Sequence, residues 1–89
     1  MMKIAVLGSV YDKQFVPHQT QPTIGTAANL HVCASLPNAT RPQEYTGGKP
    51  ELDAIFEAPL VFEGGYMKVP NKPGLGLELI ESKMKALAL

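Results

Sequence analysis

The spacing of proline and glycine limits this chain more than any other feature. Eight of each fall within 89 residues and divide the sequence into short elements, with no internal repeat and no low-complexity tract. Three consecutive elements form a strand–helix–strand pattern. Phe15-Val16-Pro17-His18 predicts a short strand that runs into a loop, since Pro17 has no backbone donor and belongs at a strand end. Thr23 to Leu36 predicts a helix, with Thr23 as its N-cap and Pro37-Asn38 as its stop. Arg41 to Tyr45 predicts a second short strand, closed by Gly47-Gly48. A crossover helix of this kind places its two strands parallel, with both C-terminal ends on one edge.

The remaining elements are smaller. In Met2 to Tyr11, the spacing of Ile4, Leu7 and Tyr11 favours a helix. The same stretch resembles the opening strand of a dinucleotide-binding fold, but the glycines that would admit a pyrophosphate are missing after Gly8. Leu60-Val61-Phe62-Glu63 and Tyr66-Met67-Lys68-Val69 flank Gly64-Gly65 and predict a hairpin with Phe62 facing Met67 and Leu60 facing Val69. Ile80, Met84 and Leu87 line one face of a C-terminal helix, supported by Glu81 and Lys85 one turn apart. In the central helix, Ile24, Ala27, Ala28 and His31 lie along one face and Leu30, Cys33 and Ala34 along another. Small and apolar residues on most sides predict burial against more than one neighbour.

Composition narrows the function classes. Eight Lys plus Arg balance eight Asp plus Glu, so no basic surface for nucleic acid or an anionic membrane is expected. No apolar run approaches the ~20 residues of a membrane span, and the run Ile4 to Leu7 is too short for a signal peptide. The single cysteine, Cys33, has no internal disulfide partner. A soluble, cytoplasmic chain is expected, and Asn38-Ala39-Thr40 reads as a chance glycosylation match.

Two polar residues stand at the ends of the predicted strands, His18 and Glu44, on the edge where α/β proteins and barrels keep their active sites. On pattern alone a loop histidine and a solvated glutamate remain open for both. His31 reads as a packed, hydrogen-bonded core histidine, and its spacing from His18 matches no metal-ligand pattern. Cys33 lies two residues from His31 on the helix, so the two point apart and make no nucleophile–base pair. Gly74-Leu75-Gly76 lacks a third glycine and a preceding strand, and the other carboxylates are scattered.

Several segments, in order, resemble the C-terminal end of the mandelate racemase-like branch of the enolase superfamily. They are Val16-Pro17-His18, Gly25-Thr26-Ala27-Ala28-Asn29-Leu30-His31, Leu36-Pro37-Asn38 and Gln43-Glu44. Leu60-Val61-Phe62-Glu63-Gly64-Gly65-Tyr66, Val69-Pro70 and Pro73-Gly74-Leu75-Gly76 complete the set. The resemblance implies an α/β fold: the last two strands of a (β/α) barrel with their intervening helix, then a hairpin and a helix that return to a capping domain. Residues 1–46 would be the terminal part of the barrel domain and residues 47–89 the return segment. It also implies a magnesium-dependent enzyme that removes the proton α to a carboxylate, with the metal ligands on strands absent from this chain. His18 matches the seventh-strand general acid/base, whose partner is a sixth-strand aspartate. Glu44 matches the eighth-strand glutamate, protonated so that it can donate to the substrate carboxylate, which implies a raised pKa.

Histidine at position 18 implies the dehydratase and racemase branch, within which an acid-sugar dehydratase is favoured. A complete barrel of this type takes ~250 residues. The chain is therefore expected to be inactive alone, a truncated frame, remnant or fragment. Asp12 precedes the first strand and would lie at the wrong end to replace the aspartate. The alternative is a small non-catalytic protein that retains the fold fragment and self-associates, and homo-oligomers or aggregation are expected through strand edges and the Leu30, Cys33, Ala34 face.

Overall fold

The protein is described here by a computed structural model covering residues 1–88. It contains α1 (Met2–Val10), α2 (Ile24–Ala34), α3 (Pro50–Asp53), β1 (Phe62–Glu63), β2 (Tyr66–Met67) and α4 (Glu81–Leu87). The three expected helices are present, and the short α3, opened by Pro50 at its first position, was not anticipated.

The hairpin forms in the expected register, with Phe62 opposite Met67 and Glu63 opposite Tyr66. Gly64 and Gly65 both take positive φ, +57° and +83°, as a two-residue turn matched to strand twist requires. The ladder is shorter than expected and stops before Leu60 and Val69. The hairpin packs on the segment before it through the Tyr45 and Phe62 rings, whose centroids are 5.0 Å apart. A second antiparallel contact joins Phe56 to Leu79, with Ile80 N–H donating to the Ile55 carbonyl at 2.7 Å.

The segments 15–18 and 41–45 do not form strands. They run side by side in one direction, with contacts advancing from Gln14–Thr40 through Phe15–Gln43 to Gln19–Glu44. Most of these contacts are made by side chains: the Gln43 amide, not a backbone donor, reaches the Phe15 carbonyl at 3.4 Å. Pro17 and Pro42 remove a backbone donor from each segment, so a regular ladder cannot be completed. The pair keeps the parallel geometry of a strand–helix–strand unit without its sheet.

The core is thin. Ala5, Ala27, Cys33, Leu36 and Phe56 are its buried apolar residues among those described, and no large side chain is fully enclosed. The radius of gyration is 14.6 Å, against ~12 Å for a compact chain of this length. On the α2 face expected to be exposed, Cys33 is buried, Leu30 is half-buried and Ala34 is exposed. Further uncovered apolar surface lies on α1, where Ile4, Val6, Leu7 and Val10 are 55–74% exposed, and Ile24 of α2 and Phe62 of the hairpin are also exposed. No described helix is long and apolar enough to cross a membrane.

Candidate active site

The site is built where the 15–21 segment turns onto the first turn of α2. Asn38 anchors the start of that segment from below. Its buried side-chain amide donates to the Ala5 and Lys13 carbonyls, both at 3.0 Å, which leaves it committed to packing. At the other end, a Cβ on Gly25 would collide with the Gln21 side chain, so glycine allows the turn to sit directly on the helix. Thr23 stands at the expected N-cap position but does not cap the helix. Its backbone takes a φ of +44°, and its hydroxyl donates to Asp53 Oδ1 at 2.6 Å, fastening α3 to the start of α2.

This turn brings His18 and Glu44 together. His18 Nδ1 lies 2.8 Å from Glu44 Oε2, and the Gln19 backbone N–H donates to the same oxygen at 2.6 Å. The His18 side chain is 78% exposed, so Nε2 is open to solvent while Nδ1 is held. A nitrogen facing an ionised carboxylate carries the proton, which leaves Nε2 of the neutral ring as the basic atom.

Glu44 departs from the expectation of a raised pKa. The Gln19 N–H bond holds its carboxyl below the usual carboxylate range, partial burial opposes that, and the His18 ring adds to the lowering. Two donors on one oxygen favour the charged form, so in this geometry Glu44 is an acceptor that orients His18.

A cleft of roughly 630 Å³ opens beside the pair, walled by Thr26, Asn29 and Cys33 from α2, by Gln43 and Glu44, and by Tyr66 from β2. Cys33 Sγ contacts Gln43 Oε1 at 3.5 Å and burial pushes its thiol pKa up, which makes it a packed thiol and a poor nucleophile. His31 is half-buried, not a core residue. Its Nε2 is 3.2 Å from the Leu75 carbonyl, tying the 73–76 turn to α2. Sequence reasoning missed Gln19 and Thr26. The contact from Gln19 to Glu44 uses the backbone, which carries no side-chain signature.

The family model described as enolase C-terminal domain-like matches residues 1–83. The chain belongs to that family. Curated relatives of this enolase-type segment include D-galactonate dehydratase of Ralstonia pickettii, 36% identical over 87 residues, covering 91% of the chain and 23% of the relative. D-xylonate dehydratase of Haloferax volcanii is 32% identical over 77 residues, covering 86% of the chain and 19% of the relative. Arabinonate dehydratase of Saccharolobus solfataricus is 33% identical over 76 residues, covering 85% and 20% respectively. The chain thus spans less than a quarter of the length of these relatives. No solved structure matches it.

The magnesium implied by the enolase superfamily does not fit the residues of this segment. Among the described residues, no group of three or more His, Cys, Asp or Glu is arranged to hold a metal ion. In the His18–Glu44 pair the facing nitrogen and oxygen are already bonded to each other.

Proposed function

We propose that this chain is the C-terminal part of an acid-sugar dehydratase and supplies His18 and Glu44 as its acid/base pair. On this reading residues 1–46 are the terminal part of the barrel domain and residues 47–89 its return segment, in a cytoplasmic enzyme. The observation that carries the reading is the 2.8 Å contact between His18 and Glu44 where two parallel segments end, on a histidine whose side chain is largely exposed. Relatives that dehydrate three different acid sugars support the reaction class.

Dehydration removes a proton α to the carboxylate and expels the β-hydroxyl as water. His18 Nε2 takes or returns a proton, and Glu44 on Nδ1 stabilises the imidazolium that forms. A substrate carboxylate placed beside Glu44 would add like charge and raise its pKa, which would let it become a hydrogen-bond donor only in the complex. The chain alone, with no metal-ligand cluster among its described residues, is expected to be inactive.

The test is a chimera in which this chain replaces the matching segment of the Ralstonia pickettii enzyme, assayed with galactonate, xylonate and arabinonate. Turnover of at least one acid sugar, lost in His18→Asn, is expected. Turnover that survives His18→Asn overturns the assignment.

The second reading, a non-catalytic chain that self-associates, is favoured by the exposed apolar side of α1.

A further inference from the structure

Gln19 is a polar residue of which only 7% is exposed, and its side-chain hydrogen bonds go to neither His18 nor Glu44. Its amide nitrogen donates to the Gln21 carbonyl and, at 3.1 Å, to Thr26 Oγ1. Thr26 is itself buried, and its hydroxyl donates to the same Gln21 carbonyl at 2.7 Å. The three groups close a ring that clamps the 19–21 turn onto the first turn of α2. Both protons of the Gln19 amide are used, so its side chain has one orientation that leaves no buried donor unpaired.

The side chain and the backbone N–H leave the same residue. Fixing the one therefore fixes the direction of the other, and that N–H reaches Glu44 Oε2 at 2.6 Å. His18 is the preceding residue, so the clamp also sets where its ring stands. Bonds that only stabilised the turn would not need to aim a backbone donor at the oxygen that His18 already shares.

We propose that Gln19 is a positioning residue, clamped by Thr26 so that its backbone N–H and the His18 ring converge on one Glu44 oxygen. The inference rests on the acid/base reading of that pair, but it concerns geometry that can be measured without turnover. Thr26→Val removes the clamp's hydroxyl at nearly constant volume, Gln19→Leu removes its amide, and Thr26→Ser restores the hydroxyl.

The experiment is carbon-detected NMR titration of the Glu44 and Glu78 carboxyls, with the Gln19 amide proton, in the whole chain. In the unsubstituted chain the Gln19 amide proton is expected to titrate with the Glu44 carboxyl. In Thr26→Val and Gln19→Leu the Glu44 pKa is expected to rise towards the ordinary carboxylate value while Glu78 stays in place. Thr26→Ser should behave as the parent does. A Gln19 amide that ignores the Glu44 titration overturns the proposal even if a variant fails to fold. So does an unmoved Glu44 in the folded variants, or a rise shared equally by Glu78. Because no substrate is present, a silent catalytic chimera would leave this result standing.

Discussion

His18 and Glu44 meet at 2.8 Å across a helix to which neither belongs. Because Gln19 N–H is the largest cause of the low Glu44 pKa, His18→Gln should raise that pKa only part of the way to its ordinary value. The linkage follows from the direction of the shift. A carboxyl held below its unfolded value adds stability above the unfolded pKa of ~4.3, and that stability is lost as pH falls through the folded pKa. Urea midpoints measured between neutral pH and acid should therefore fall more steeply for the parent than for Glu44→Gln. Parallel curves would show that the pair adds nothing to acid stability.

Gly25→Ala places a methyl group against the Gln21 side chain. Overpacking of this kind typically costs about 1–3 kcal/mol. Equilibrium urea unfolding should show a loss in that range, and the Gln19 amide resonance should move because the turn is pushed off the helix. A variant as stable as the parent, with that resonance unchanged, would mean that the turn has room to spare.

The helices and the hairpin were legible in local pattern. Apolar spacing placed α1, α2 and α4, and Gly64-Gly65 set the pairing of Phe62 with Met67. Strand formation at 15–18 and 41–45 was less legible, because a ladder depends on partners that local sequence does not contain, and Pro17 and Pro42 lower what each segment can offer. Thr23 shows a related limit: its residue type suits a cap, but its hydroxyl bonds to Asp53 of α3, which is distant in sequence. For the candidate site, the meeting of His18 and Glu44 on a common edge could be read from pattern. The sign of the Glu44 shift could not, since it comes mainly from a backbone N–H whose direction depends on the Gln19–Thr26 clamp.

The isolated chain should neither bind magnesium tightly nor dehydrate acid sugars, given the absence of a metal-ligand cluster among its described residues. Titration calorimetry with magnesium and a screen of galactonate, xylonate and arabinonate check this directly. Micromolar magnesium affinity, or any turnover, would contradict it.

Self-association should run mainly through α1, the helix with the most exposed large apolar residues. Exposed Ile4, Leu7 and Val10 add to an apolar patch of the kind that marks an interaction surface, at a net charge that offers little repulsion. Light scattering over a dilution series should show dimers or larger species for the parent. Leu7→Lys should shift them towards monomer, whereas a parent that is monomeric throughout, or a Leu7→Lys variant that associates equally, would contradict this route.

The central claim is that His18 and Glu44 act as the acid/base pair of an acid-sugar dehydratase. It is tested most directly by the kcat/KM for D-galactonate of the chimera with the Ralstonia pickettii enzyme, compared with its His18→Asn and Glu44→Gln forms. General acid–base groups contribute ~10²–10⁴-fold to rate, so both substitutions should lower kcat/KM by about 100-fold or more in folded protein. Turnover by both variants at the level of the unsubstituted chimera would contradict the account.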